Sequence, residues 1–398
     1  MIEDHVTVAG SPTIVDRGHS TRLRGPRWRL HVVTGMLIAV GLSGCATRPG
    51  PETLNPVAAG PASNRSVTVL AATNRSLTTA TPPAFGDGRG SLSYEQFTLQ
   101  ETASASGDLT GASNRARVND PSRDFVTTGR RELDEASFEQ AVARMRATND
   151  MAVVFVHGYN YSYQEAVFRL AQLSASADTF AVPILFSWPS QADFRGYVTD
   201  RDSTTYARDD LVQLLTVLTR SRSRGRVAVL GHSMGGWLVM EALRQLRLQG
   251  RNDVIARLQV GLAAPDIDID VFHRQVSVIG PLSPPLTVLV SKDDRALAVS
   301  SRLAGGKPRL GLADANDPRI QEVARQNGVQ IIDISTLPST DPFNHNRFVA
   351  FAARYSASAR RHESGDGVRQ AGVFLFDATG RILSAPFEQA ARVMVQSP

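Results

Sequence analysis

Two apolar patterns alternate along the chain. Continuous apolar runs are "MAVVFVHG" at 151–158, "VPILFSWP" at 182–189, "RVAVLGHS" at 226–233, "IARLQVGLAA" at 255–264, "LTVLVSKDD" at 286–294 and "VQIIDIS" at 329–335. Runs of this length without polar alternation predict strands buried on both faces. Between them lie stretches of helical spacing: "LDEASFEQAVARMRA", "YQEAVFRLAQLSASA", "YARDDLVQLLTVLTRS", "WLVMEALRQLRLQ" and "RIQEVARQNG". Buried strands alternating with amphipathic helices predict an α/β fold, a mostly parallel sheet with helices on both faces. "SVTVLAAT" at 66–73 is the first strand-like run, and residues 80–130 are polar and Gly/Ser-rich with only weak strand signals such as "YEQFTLQ". Within that stretch "GDGRGS" at 86–91 reads as a flexible loop. Near the end, "RFVAFAARYSA" has helical spacing and "GVFLFDATGRILSA" is strand-like. The expected domain spans 66–355, with 356–398 an extension of no assigned role.

The N-terminal part follows another pattern. Arg22, Arg24, Arg27 and Arg29 precede the apolar stretch "HVVTGMLIAVGLSG", which ends at Cys45, the one cysteine of the chain. A basic region followed by a short apolar run reads as a secretory signal over 1–44, too short for a comfortable membrane-spanning helix. The ending "LSGC" resembles a bacterial lipobox. That resemblance implies cleavage before Cys45, lipidation of its thiol and a membrane anchor on the periplasmic side of the envelope. Ala46 follows rather than Asp, which by the same resemblance points to the outer membrane. Residues 45–65, rich in Pro, Ala, Gly and Ser, read as a flexible tether.

Composition narrows the function. Hydrophobic residues make up 42% of 398 and charged residues 20%, a globular balance. Net charge is +5, of which residues 1–30 carry +2, and no long Lys/Arg block follows. That leaves no nucleic-acid surface. A single cysteine makes neither an internal disulfide nor a thiol metal cluster, and no P-loop, H-E-x-x-H or dinucleotide G-x-G-x-x-G occurs, so no cofactor or metal is expected.

The chemistry centres on "VAVLGHSMGGWLVMEAL" at 227–243. Gly231-His232-Ser233-Met234-Gly235 fits G-x-S-x-G at a strand-to-helix boundary, the context of a nucleophile elbow. A serine needs a base. Of eight histidines, His345 follows the last strand of the pattern, where such enzymes carry theirs, whereas His273 precedes the candidate acid. Asp294, ending "LTVLVSKDD", is the expected acid. Asp293 beside it and Asp266, Asp268 and Asp270 of "AAPDIDIDVF" are the alternatives, with capping and solvation the plainer role of the latter three. Met234 N–H and Tyr159 N–H, the latter just past "VHG", are the expected oxyanion donors, with His157 bracing that loop. Trp188, Tyr161 and Phe343 are candidate pocket residues, together with Pro189 and Ser190.

Taken together, "VFVHGYNYSYQEA", "LFSWPSQADFRGYVTDRDS", "LGHSMGGWLVMEAL", "LAAPDIDIDVF", "SKDDRAL" and "GGKPRLG" resemble an uncharacterised bacterial family of α/β-hydrolases, esterase/lipase-like and of unknown function. The resemblance runs from about 66 to 355. It implies an α/β-hydrolase fold, a triad of Ser233, Asp294 and His345, and a small ester or lipid-like substrate, but names none. The expected activity is serine hydrolysis of carboxylic esters. The competing reading is an envelope protein that keeps the fold as a non-catalytic binding platform.

Overall fold

The buried runs become the centre of a single sheet. The computed structural model describes residues 48–61, 65–102, 122, 124–146, 151–177, 181–220, 225–339 and 341–353. Among them nine strands are hydrogen-bonded in the order β3-β2-β1-β5-β4-β6-β7-β8-β9. Strands β4 (Met151–Val156), β5 (Ala181–Ser187), β6 (Val227–His232), β7 (Leu258–Ala263), β8 (Leu286–Val290) and β9 (Val329–Asp333) are mutually parallel. β1 (Ser66–Leu77) joins them parallel to β5, and β2 (Phe85–Glu101) and β3 (Phe125–Leu133) extend that side as an antiparallel meander. The α/β-hydrolase expectation holds.

Alternation survives inside the continuous apolar runs. Val154 and Val156 of β4 enter one core and Phe155 the other; Ile184 and Phe186 of β5 oppose Leu185 in the same way. Helices α1 (Glu135–Arg146), α3 (Tyr197–Thr219), α4 (Met234–Leu248) and α6 (Ile269–Ile279) bury Phe138, Leu211, Leu238 and Phe272 on the first face. Helix α2 (Tyr163–Ala177) buries Val167 and Phe168 on the second, beside Phe348. A short α5 (Asn252–Ile255), α7 (Arg295–Leu303) and α8 (Pro318–Asn327) complete the described helices up to Arg347, where one more begins.

Two sequence readings change. "GDGRGS" is not a loop: it lies within β2, paired to β1 through Arg75–Arg89 and Leu77–Phe85. Its signal is weak because this half of β2 pairs with an extension of β1 at which the register shifts, and its side chains are mostly half-buried or exposed. Glycine fits there because a Cβ on Gly90 would lie 3.0 Å from Arg75 O. The tether is, from Pro49 to Pro61, laid on the domain. A 3₁₀ turn at Pro51–Leu54 buries Leu54 with Phe97 and Phe125. Pro49 O accepts from Gln164 Nε2 at 2.7 Å, Val57 N–H donates to Thr127 O at 2.8 Å, and Gly60 N–H donates to Gln100 Oε1 at 2.6 Å. The signal segment with Cys45 and the extension 356–398 lie outside the described residues. No helix among the described residues is long and apolar enough to cross a membrane.

Candidate active site

The parallel strands end on one edge, and the motif residues gather there. β6 runs into Ser233, whose backbone takes φ 53° and ψ −120°, after which α4 starts. A non-glycine residue in that region is strained by about 1–3 kcal/mol and persists only when its surroundings impose it. Here they do. Ser233 N–H donates to Ala263 O at 2.9 Å, and Ser233 O accepts from Gly236 N–H at 3.0 Å and Asp266 N–H at 3.1 Å. The flanking glycines answer to space. A Cβ on Gly231 would lie 2.8 Å from Gly236 Cα, and one on Gly235 would lie 2.3 Å from His157 O and 2.4 Å from Val156 O. Strand, turn and helix therefore cross at backbone contact.

His345 sits on the loop after β9. Its Nδ1 lies 2.6 Å from Asp294 Oδ2, whose side chain is wholly buried. Asp294 caps α7 with its other oxygen, accepting from Leu297 N–H at 2.9 Å, so the carboxylate is fixed from both sides. Burial alone would lower the His345 pKa. The charge and hydrogen bond of Asp294, then the charges of Asp341 and Asp266, outweigh it and raise the value above 6.5. The His345 ring lies 4.7 Å, centroid to centroid, from that of His232, the residue before the serine. Among the described residues the Ser233 hydroxyl makes no hydrogen bond.

The competing aspartates are otherwise engaged. Asp293 pairs with Arg347, accepts from Ser291 Oγ at 2.9 Å and Asn344 Nδ2 at 2.9 Å, and is held down at about 2, first by the Arg347 hydrogen bond. Asp266 is buried against Arg309 (3.2 Å), Tyr197 OH (2.9 Å) and Ser300 Oγ (2.8 Å). Asp268 caps α6, and Asp270 lies in its first turn. His273 is exposed on α6, lining a groove of about 230 Å³ with Phe272, Ile320 and Val329, away from Ser233.

Met234 is the first residue of α4, so its N–H has no acceptor within the helix. Tyr159 lies on the loop after β4, which touches the elbow: a Cβ on Gly158 would be 3.0 Å from Ser233 Cβ. His157 braces that loop, as expected. Its Nδ1 donates to Gly158 O at 2.8 Å and its Nε2 lies 3.1 Å from Ser187 Oγ. Burial, then the charge of Arg75, hold its pKa down at about 3, so the ring is neutral. Trp188 departs from the expected pocket role. It is fully buried, stacked 5.0 Å from the His157 ring, and its Nε1–H donates to His157 O at 2.8 Å. Its side chain braces the loop instead of meeting a ligand. Tyr161 is half-buried beside His157, and Phe343 stands exposed on the His345 loop.

Sequence reasoning missed the groups that hold these loops. Arg75, buried in β1, donates to Ser187 Oγ (3.0 Å), Gly86 O (2.9 Å), Ser190 O (3.0 Å) and Tyr161 O (2.9 Å). Asp200, also buried, accepts from Ser190 Oγ at 2.6 Å, Gln191 N–H at 2.8 Å and Asn160 N–H at 3.3 Å. Asp341 accepts from the N–H groups of Phe343 (2.8 Å), His345 (3.0 Å) and Asn346 (2.6 Å). Asp200 lay within the quoted "LFSWPSQADFRGYVTDRDS", as Arg309 did within "GGKPRLG", but neither was singled out. No group of three or more potential metal ligands occurs among the described residues.

The chain is similar to known proteins mainly at family level. A family model described as alpha/beta hydrolase of unknown function (DUF900) matches residues 134–359, more than half of the chain. No curated protein matches in sequence. Among solved structures, ESTFA in its iron-lacking apo form is 12% identical at a TM-score of 0.30, covering 80% of this chain and 83% of that one. A protein described as a hydrolase, from Agrobacterium vitis S4, is 12% identical at 0.30, covering 75% and 99%. A structure from a study of two fungal esterases of Rhizomucor miehei is 11% identical at 0.28, covering 86% and 94%. Similarity at that level adds nothing to the fold assignment, which rests on the family match and the strand order. The chain belongs to the DUF900 family of alpha/beta hydrolases.

Proposed function

We propose that the protein is a serine hydrolase of carboxylic esters, with Ser233 as nucleophile, His345 as base and Asp294 as its orienting acid. The observation that carries this reading is the 2.6 Å contact of His345 Nδ1 with buried Asp294 beside a strained serine elbow. With Nδ1–H committed to Asp294, the lone pair of His345 is on Nε2. In this reading the bond from Ser233 Oγ–H to Nε2 closes when substrate binds, as apo sites often leave it open. Oγ attacks the acyl carbon and its proton passes to Nε2. Met234 and Tyr159 N–H groups hold the oxyanion. Collapse expels the alcohol, which takes the proton from the imidazolium. Water, deprotonated in turn by His345, releases the acid and restores Ser233. A fluorophosphonate probe tests it. Wild type should label and Ser233→Ala should not, with hydrolysis of short p-nitrophenyl esters falling at least about 10³-fold in the variant. An unlabelled wild type sinks the reading and leaves the binding-platform alternative.

The reading extends to location. "LSGC" supports lipidation at Cys45 and residence in the envelope, periplasmic face, outer membrane. Mass spectrometry of protein from a bacterial host should find the chain starting at an acylated Cys45. An intact, unacylated N-terminus rules this out.

A further inference from the structure

The docked segment has a direction. Pro49 O is bound by Gln164, in the first turn of α2, directly after the Tyr159 loop. At the other end, Arg65 Nη1 donates to Ala175 O in the last turn of α2 at 2.7 Å, just before β1 starts. The segment therefore runs down α2 from the edge that carries Ser233 to the opposite edge. Only Ala46, Thr47 and Arg48 separate Cys45 from Pro49, and four residues reach at most about 14 Å. A lipid on Cys45, as read from "LSGC", would be leashed within that reach of Pro49.

That edge also carries large apolar side chains in water. Phe194 and Val198, from the loop after β5 and the first turn of α3, are 76% and 73% exposed, and Phe343 on the His345 loop is 54% exposed. Leu77 ends β1 on the same edge and is also 54% exposed. Phe194 is tied to the site, since its carbonyl accepts the Tyr159 hydroxyl. Arg195 beside it is exposed, though paired to Asp193.

From the short lead and this rim we infer that the catalytic edge lies on a lipid bilayer, which delivers acyl esters of its own lipids to Ser233. The inference rests on the hydrolase and lipidation readings above and gives the first a substrate class. A long free tether would leave the orientation open; a lead of four residues does not. Apolar loops at the rim enter the interfacial layer, where exposed aromatic and branched side chains gain by leaving water.

The experiment uses the full chain with a maleimide-bearing diacyl lipid coupled at Cys45, so it does not depend on native processing. Vesicles of phosphatidylcholine and phosphatidylglycerol carry either a fluorogenic diacyl ester or brominated lipid, and p-nitrophenyl butyrate serves as soluble substrate. Leu77→Asp with Val198→Asp should cut hydrolysis of the embedded ester at least tenfold and leave the soluble rate within twofold. Equal effects on both substrates, or none on the embedded one, overturn the inference. As a readout without catalysis, a tryptophan at Phe194 should be quenched by brominated lipid relative to wild type, and one at Leu248, exposed at the far end of α4, should not. The reverse pattern overturns it. A lipid-free dimer that the Asp pair dissociates would also overturn it, assigning the rim to a second copy. A wild type inactive on the soluble ester defeats the hydrolase reading, while the quenching still decides orientation.

Discussion

At the scale of single residues, three aspartates near the site, two buried and one exposed, separate by partner. Asp294 has His345, Asp293 has Arg347 and Asp266 has Arg309. Each Asp→Asn change therefore fails differently. Asp294→Asn should lower kcat by about 10³–10⁴-fold with the fold intact, because the imidazole loses its orienting charge. Asp293→Asn should cost kcat tenfold or less, through a loosened His345 loop. Asp266→Asn leaves Arg309 buried without its counter-charge and should appear as a stability loss of about 3–5 kcal/mol. Thermal unfolding beside steady-state kinetics separates the three, and a crippled kcat in Asp266→Asn at unchanged stability would move the acid to β7. The pH profile follows from His345. The base must be neutral, and Asp294 raises its pKa above 6.5 against burial. So kcat/KM should climb with pH through an inflection above 6.5. Asp341→Asn keeps an acceptor for the loop N–H groups but removes a charge that favours the imidazolium, and should move the inflection down. An inflection at or below 6.5 in wild type contradicts the electrostatics described here.

At the scale of elements, the elbow is a crossing of β4, β6 and α4 at backbone distance. Gly235→Ala places a methyl group against the carbonyls of Val156 and His157, neither of which is the end of a flexible side chain. Overpacking of this kind costs about 1–3 kcal/mol, and at a backbone contact it should also displace Met234 N–H. Lower melting temperature together with weaker probe labelling is the expected pair of results; a variant unchanged in both would mean that the crossing yields. The crossing was legible in the sequence because its two strands are apolar runs ending in glycine or serine and the helix opens on Gly235-Gly236. The same holds for β4 to β8, whose two buried faces leave no polar alternation, and for β9, an apolar run although only half-buried. β2 was legible only in part, through the weak strand signal "YEQFTLQ", and β3 was not. They flank the core on one side, and Phe97 and Leu99 alternate with polar residues that face less buried surroundings. Trp188 shows the converse limit: a tryptophan at the end of a buried strand reads equally as pocket or brace, and only its bond to His157 O decides.

At the scale of the whole molecule, buried polar side chains far apart in sequence fix the catalytic edge. Arg75 on β1 meets the loops after β4 and β5, and Arg309 meets Asp266 across the loops after β7 and β8. Periodicity cannot announce such pairs, since one buried arginine in a strand leaves the surrounding pattern intact. Ser233, Asp294 and His345 were readable as candidates because they belong to local motifs; the scaffold that holds their loops is long-range. Burying ionisable groups has a consequence for stability against pH. His157 is depressed to about 3 and His232 well below 6.5, both chiefly by burial, so the folded state keeps them neutral. Below pH 6.5 the unfolded chain binds protons that the folded chain refuses. Their contribution is therefore present above 6.5 and lost as pH falls, for His157 down to about 3. At pH 5 His157 alone amounts to about 2 kcal/mol. His345 opposes this: its raised value gives stability that is present below 6.5 and lost as pH rises through the folded pKa. Two depressed histidines outweigh one raised one, so the melting temperature should fall by several degrees between pH 7.5 and 5. His157→Gln, which keeps hydrogen-bonding atoms but cannot be charged, should flatten that slope. A melting temperature that rises toward pH 5, or a slope that His157→Gln leaves untouched, would show that these rings are not buried neutral in solution.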